Sequence, residues 1–125
     1  MSTLRIMFLM ALLLASVSVF IGCGASSADP KAVAMDPQNY AGKTLESKVW
    51  GMETPRGVGV FYVPITREYL FSLKVPSIEL GDRVSKAATL TEKGGFFVIK
   101  YKVYSPPPSD IYKQPLGELI DIRMK

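Results

Sequence analysis

The chain has 125 residues, 15 basic and 11 acidic side chains, one cysteine and no histidine. This length suits one domain, and the lack of histidine excludes a Ser-His-Asp or Cys-His nucleophile and a zinc site of the usual His and Cys ligands. The net charge of +4 is dispersed along the chain, as is typical of a solvated surface, and does not by itself indicate a nucleic-acid partner.

The first residues have the three-part layout of a secretory signal. A single positive charge precedes an apolar run over residues 6–21, and small residues follow around Cys23. At 1.5 Å per residue this run is shorter than the roughly 30 Å core of a bilayer, so a removed signal fits better than a permanent span. We therefore predict a signal peptide over residues 1–22.

The sequence FIGC, which ends at Cys23, resembles the lipobox of bacterial lipoproteins. The resemblance implies that the Cys23 sulfur receives a diacylglycerol, that the chain is cleaved after Gly22 and that the new amino terminus is acylated. In enteric lipoproteins an Asp directly after the acylated cysteine retains the protein in the inner membrane. Gly24 occupies that position here, so the resemblance implies that this protein is located in the outer membrane. A small buried thiol and a retained inner-membrane span are the alternatives. Residues 23–35, small and polar, are predicted to be a flexible tether.

The remaining residues, 36–125, are predicted to form a small β domain that begins with one helical turn ending at Gly42. Alternation of apolar and polar residues predicts strands at 43–52, 57–65, 69–75, 95–104 and 120–125, with a weaker candidate at 83–91. The third strand would place Tyr69, Phe71, Leu73 and Val75 on one face, and the last would place Ile120, Ile122 and Met124 on one face.

Turn composition separates these strands, and no longer helix is predicted. Residues 53–57 and 92–95 have turn composition, Glu79 and Asp82 flank a further turn, and the proline-rich segment 105–110 is an extended loop. Five or six short strands without a long helix are compatible with a β-sandwich or a β-barrel. A barrel is favoured because closing the sheet removes exposed edges, so the predicted fold class is mainly all-β.

Two segments of this domain look like parts of small bacterial OB-fold domains. They are NYAGKTLESKVWG, residues 39–51, and LGDRVSKAATLTEKGG, residues 80–95. The resemblance implies a five- or six-stranded OB-like barrel, although Pro64 and Pro76 depart from the usual pattern of the first three strands. It also implies a binding face on the middle strands, because aromatic rings stack on bases or sugars and cations hold anions. The candidates are Tyr62, Arg67, Tyr69, Lys100, Lys102 and Tyr104.

No chemical site is evident in the sequence: no short pair of carboxylates and no metal or cofactor motif is predicted. We therefore predict a non-enzymatic, lipid-anchored binding or interaction module on the periplasmic face of the bacterial cell envelope. Its expected partners are the membrane, through Cys23, and an envelope protein or glycan, in preference to nucleic acid. An OB-type oligosaccharide- or oligonucleotide-binding domain is the alternative, and an enzyme that uses carboxylates alone is a third.

Overall fold

The computed structural model describes residues 25–124, and within them the chain is mainly β, with one six-stranded sheet and little helix. This confirms the mainly all-β class. The predicted signal peptide and Cys23 lie outside the described residues. In chain order the elements are β1 Ser26–Ser27, α1 Pro30–Met35, a 3-10 helix Pro37–Tyr40, β2 Thr44–Glu53, β3 Val58–Tyr62, β4 Tyr69–Lys74, α2 Ile78–Leu90, β5 Phe97–Val103 and β6 Gly117–Arg123.

Each of the five longer strands pairs with two of the other four. β2 pairs antiparallel with β5 over its first half and with β3 over its second half. β3 pairs antiparallel with β4, β4 pairs parallel with β6, and β6 pairs antiparallel with β5. The path β2, β3, β4, β6, β5 therefore returns to β2. The short β1 lies parallel to the first half of β2.

The five strands predicted from alternation are all present, and each contributes side chains to one common core, in β5 at the alternate positions Phe97, Ile99, Tyr101 and Val103. Phe61, Phe71 and Phe97 are fully buried there, and the rings of Phe71 and Tyr101 are 5.3 Å apart. The two prolines that break the strand pattern lie outside the strands: Pro64 follows β3, and Pro76 precedes α2. Neither removes a hydrogen bond from a ladder.

The segment 83–91, predicted as a weak strand, is instead the second half of α2. Ser77 caps this helix, accepting a hydrogen bond from the backbone N–H of Leu80 at 3.2 Å, and Glu79 in the first turn complements the helix dipole. The buried face of α2 consists of Gly81, Val84, Ala87 and Ala88. The turn predicted around Glu79 and Asp82 is therefore wrong, since both lie within the helix.

The structure also differs from the flexible tether predicted for residues 23–35. From Ser26 onward this segment is folded against the sheet: Asp29 caps α1, and Val33 is fully buried. The Ser47 hydroxyl donates to the carbonyl of Ala28 at 2.8 Å, so the Tyr101 hydroxyl, 2.9 Å away, is the donor to Ser47. The N-terminal segment is thus joined through Ala28 to a buried pair of hydroxyl groups in the core.

Bulges in β4 and β6 shift the predicted alternation. In β6, Lys100 pairs with Asp121 but Tyr101 pairs with Leu119, so Ile120 is an extra residue. Leu119 and Ile122 are buried, whereas Ile120 and Met124 are exposed, which corrects the single apolar face predicted for 120–124. The bulge turns Ile120 outward because the extra residue reverses the alternation on one side of it.

Two glycines are required by the path of the backbone. Gly42 has φ of +75°, which ends the 3-10 helix in a left-handed conformation, as the sequence indicated. Gly51 lies where β2 passes close to β3: a Cβ there would be 2.4 Å from the ring of Phe61 and 2.5 Å from the carbonyl oxygen of Val60. Gly51 is therefore required for the close approach of the two strands.

Candidate functional site: an aromatic row

Four aromatic side chains and one arginine form a continuous row across β2, β3, β4 and the loop between β5 and β6. The centroid of the Tyr62 ring lies 5.9 Å from that of Trp50 and 6.1 Å from that of Tyr69, with an edge-on arrangement in the second pair. Tyr112 stacks on Tyr69 with centroids 5.2 Å apart, and the Arg67 guanidinium lies 3.5 Å above the Trp50 ring. We call this set the aromatic row.

Strand register brings the three central rings together. Trp50 pairs with Tyr62 across β2 and β3, and Tyr62 pairs with Tyr69 across β3 and β4. The second pairing depends on a bulge, because Phe61 pairs with Phe71 and Leu70 is the extra residue. The predicted common face of Tyr69 with Phe71 and Leu73 is therefore wrong. Leu70 and Phe71 are both buried, whereas Tyr69 is only partly buried and joins the row.

One end of the row is fixed against α2. The indole N–H of Trp50 donates to the carbonyl of Ala88 at 3.3 Å, and Arg67 donates to the carbonyl of Glu92 at 2.7 Å. These carbonyls lie near the C-terminal end of α2, where the helix dipole favours a cation. Arg67 has φ of +60°, which turns the loop between β3 and β4 toward Trp50. The Arg67 guanidinium therefore contacts the Trp50 ring on one side and the carbonyl of Glu92 on another.

The other end of the row is a preorganised tyrosine in the loop 104–116. The Tyr69 hydroxyl donates to the carbonyl of Ile111 at 3.0 Å, and the side chain of Asp110 accepts from the backbone N–H of Tyr112 at 2.9 Å. Burial raises the pKa of the Tyr69 hydroxyl, which keeps it a neutral donor. Tyr112 is 78% exposed, so its outer ring face is open to a ligand.

The charges beside the row are of both signs. Glu68, which follows Arg67, forms an ion pair with Lys31 at 3.3 Å, with both side chains more than half exposed. Asp110 lies close enough to Tyr69 to contribute to its raised pKa, although less than burial does. Lys113, which follows Tyr112, is an exposed cation. The surroundings of the row therefore do not form a continuous cationic surface for a polyanion.

The three remaining sequence candidates lie on a different part of the sheet. Lys100 on β5 is flanked by Glu46 on β2 and Asp121 on β6, and Lys102 is paired with Glu118 on β6. Opposite charges at adjacent cross-strand positions stabilise a solvated sheet surface by a few tenths of a kcal/mol to about 1 kcal/mol. We call this part of the sheet the charged face.

Ion pairs extend the charged face on both sides. Arg123 lies 3.1 Å from Glu46, and Arg83 lies 2.8 Å from Asp121. The backbone N–H of Ile122 and the Arg83 guanidinium together hold the pKa of Asp121 below its ordinary value. With acids placed between its cations, the charged face does not present an uninterrupted basic track for a nucleic-acid backbone.

Tyr104 lies at one edge of this face, in a shallow groove of about 480 Å³. Burial, followed by the charge of Glu118, raises the pKa of its hydroxyl. The groove is lined by Gly42, Lys102, Val103, Tyr104, Ser105, Glu118 and Ile120.

The structure thus brings together three of the six sequence candidates, Tyr62, Arg67 and Tyr69, and places the other three on the charged face and its groove. Sequence reasoning missed Trp50 and Tyr112 as members of the row. By alternation, Trp50 lies on the opposite side of β2 from Leu45 and Val49, and this position was the signal that could have identified it. Tyr112 lies in a proline-rich loop, where no periodic pattern indicates direction.

Within residues 25–124 no group of three or more potential ligand side chains is placed to hold a metal ion. No helix of this part of the chain has the length and apolarity needed to cross a bilayer. Comparison of the chain with protein-family models, with curated proteins and with solved structures gives no match.

Proposed function

We propose that the protein is a lipid-anchored binding module of the bacterial cell envelope, built on an OB-type barrel, which holds a glycan on its aromatic row. The observation that carries this proposal is the row itself. Its rings lie on adjacent strands, and its outermost member, Tyr112, is held in a fixed position by the turn at Asp110. The exposed ring of Tyr112, backed by the Tyr69 ring on which it stacks, offers a stacking surface to a polymer made of ring-shaped units.

The order of strand pairing supports the barrel part of this proposal. Five strands pair in a closed sequence, the helix α2 lies between the third and fourth of them, and the parallel pair joins the third to the fifth. An OB-fold is a five-stranded Greek-key barrel whose second and third strands, with the loop joining the fourth and fifth, bind oligonucleotides or oligosaccharides. In this chain those parts are β3, β4 and loop 104–116, which carry Tyr62, Tyr69 and Tyr112.

The charges beside the row favour a glycan over an oligonucleotide. A nucleic-acid ligand needs free cations near its phosphates, and its binding weakens with added salt. Arg67 is held between Trp50 and the carbonyl of Glu92, and Lys31 pairs with Glu68, while Asp110 adds a negative charge. A neutral sugar needs only ring faces and hydrogen-bonding groups, and the row supplies both.

The location part of the proposal is supported by the sequence. The lipobox-like FIGC ends at Cys23, whose acylation would hold the protein in a membrane, because two or three acyl chains bind a bilayer stably whereas one binds only marginally. Gly24 after this cysteine favours the outer membrane. The role is binding without catalysis, with the membrane and an envelope glycan as partners.

Binding of a neutral oligosaccharide tests the proposal. The full chain, purified in detergent, is titrated with an oligomer of N-acetylglucosamine while the fluorescence of Trp50, the chain's one tryptophan, is followed. We expect saturable binding that Tyr112→Ala weakens about fivefold or more, since stacking on one ring contributes about 1–3 kcal/mol. Tyr104→Ala, which removes an exposed tyrosine outside the row, is the matched control and should leave the affinity unchanged.

Two results would contradict the proposal. One is a lack of binding to the oligosaccharide, and the other is an equal loss in the Tyr104→Ala control. Salt-sensitive binding of a single-stranded oligothymidylate that is lost when Lys100 and Lys102 are replaced by Ala would instead favour the oligonucleotide-binding alternative.

A further inference from the structure

The folded part of the chain begins very close to the proposed anchor. Ser26 already pairs with Leu45 on β2, and the backbone N–H of Ala28 donates to the carbonyl of Glu46 at 2.9 Å. Three Cα steps separate Cys23 from Ser26, and even fully extended they span no more than about 11 Å. This leaves no room for a long tether between the acylated residue and the sheet.

The direction of β1 shows at which end of the sheet the described part of the chain begins. β1 runs parallel to β2, so its first residue, Ser26, lies toward the start of β2, near Lys43 and Thr44. The end of β5 lies at the same place: the carbonyl of Lys43 accepts from the N–H of Val103 at 3.1 Å, and Thr44 pairs with Lys102. The described part of the chain therefore enters the sheet at this end.

The side chains at this end have the composition of a membrane-contacting surface. Lys43 and Lys102 are exposed cations, and Tyr104 and Ile120 are partly exposed and line one groove with Lys102. Tyrosine favours the boundary between lipid and water because one end of its side chain is apolar and the other is polar, and lysine is attracted to anionic headgroups. We call these four residues the anchor-side surface.

We propose that the anchor-side surface rests on the phospholipid headgroups of the membrane that holds Cys23, so that the domain is mounted directly on the bilayer. This inference rests on the lipid anchor of the proposed function and does not depend on glycan binding. The reach of about 11 Å is comparable with the headgroup layer, which extends roughly 5–8 Å on each side of the hydrocarbon core. The single acid in the groove, Glu118, pairs with Lys102 and leaves the surface weakly cationic.

Fluorescence quenching in vesicles tests whether the anchor-side surface rests on the headgroups, an arrangement that we call the mount. Full-length acylated protein carrying either Lys102→Cys or Arg56→Cys is labelled with a small fluorophore and reconstituted with lipids that carry a nitroxide on the headgroup. Both positions are exposed basic residues, and Arg56 lies in the turn after β2, at the far end of that ten-residue strand. We expect several-fold stronger quenching at position 102 than at position 56.

A linker insertion shows whether the short connection is the cause. A flexible Gly-Ser segment of about twelve residues, placed between Gly24 and Ala25, allows the domain to move away from the bilayer and should remove most of the difference between the two positions. Equal quenching at both positions without the insertion would overturn the mount, and so would a difference that survives the insertion.

Acyl labelling separates failure of the mount from failure of the anchor. The protein without the insertion should incorporate a labelled fatty acid, and Cys23→Ser should abolish the incorporation. Labelled protein with equal quenching at the two positions overturns the mount while the anchor stands. Protein that incorporates no fatty acid overturns the anchor, and the mount with it.

Discussion

The aromatic row and the charged face are parts of the same sheet, yet different forces shape them. The row consists of rings in contact, from the nearly buried Trp50 to the exposed Tyr112, and its one cation is packed against a ring and a carbonyl. The charged face consists of solvated side chains that alternate in sign, such as Lys100 between Glu46 and Asp121.

The difference shows why residue type alone is a poor guide to a binding surface. Lysines and tyrosines were equally plausible candidates in the sequence, but neighbouring acids neutralise the lysines on the charged face. Tyrosines in the row reinforce one another, because each additional ring extends the stacking surface. Substitutions that separate packing from charge therefore test the comparison directly.

The largest expected effect is that of Trp50→Ala. Trp50 is 7% exposed, contacts Tyr62 and Arg67, and donates a hydrogen bond to the carbonyl of Ala88. Its removal should lower the free energy of unfolding by about 3–5 kcal/mol, which chemical denaturation followed by circular dichroism measures.

The charged face supplies the control for this substitution. Lys102→Ala should change the free energy of unfolding by no more than about 0.5 kcal/mol, because Lys102 is exposed and lies opposite Glu118 on the solvated side of the sheet. Comparable losses in the two variants would show that the contrast between a packed row and a solvated face is wrong.

The next effect concerns the inner side of β5, the strand that carries Lys100 and Lys102 on its outer side. Burial raises the pKa of Tyr101 to about 12, from 10.0 in an unfolded chain. Between these values the folded protein keeps a proton that the unfolded chain loses, so the free energy of unfolding falls as pH rises. The fall due to this group is about 2 kcal/mol from pH 10 to pH 12, out of about 3 kcal/mol over the whole titration.

Tyr101→Phe should remove that part of the pH dependence. The variant also loses the hydrogen bond to Ser47, at about 1 kcal/mol, so it is somewhat less stable than the parent at neutral pH. Denaturation curves at several pH values measure both effects. Identical slopes above pH 10 in parent and variant would mean that Tyr101 does not hold its proton in the folded state.

The smallest expected effect extends the comparison to the N-terminal segment. Val33 of α1 is fully buried, whereas Met35 of the same helix is 85% exposed. Val33→Ala should cost about 2 kcal/mol, and Met35→Ala no more than about 0.5 kcal/mol, as measured by thermal or chemical denaturation. If Val33→Ala and Met35→Ala both cost no more than about 0.5 kcal/mol, α1 is not packed as part of the domain and behaves as a tether instead.

The strands were predictable because burial on one side sets their alternation of apolar and polar residues. The helix α2 was not predictable from the sequence. Ile78 and Leu90, two of its largest apolar residues, are 85% and 64% exposed, and its buried face consists largely of Gly81, Ala87 and Ala88. Small residues suit a helix lying close to a sheet but give little hydrophobic periodicity. In α1, the cap at Asp29 and the following proline were present in the sequence, but the surrounding small residues favoured a tether.

The aromatic row could be predicted only in part, because it depends on features that are not local. Tyr62 and Tyr69 were chosen for their residue type, and the bulge at Leu70 places them opposite each other. Tyr112 joins them through a loop that returns from β5, held by a hydrogen bond between the Tyr69 hydroxyl and Ile111. Bulges and loop conformations are decided by the whole packing, so alternation within one strand cannot reveal them.

The double pairing of β2 also constrains the order in which the chain folds. Its second half can form a hairpin with β3 as soon as both exist, but its first half needs β5, and the hydrogen-bonded pair Ser47 and Tyr101 lies 54 residues apart. Closing so long a loop costs entropy before the contact is gained, which slows folding relative to helical proteins. The carbonyl of Ala28 accepts a hydrogen bond from the Ser47 hydroxyl, which in turn accepts one from the Tyr101 hydroxyl, so this chain of hydrogen bonds is complete only after β5 is in place.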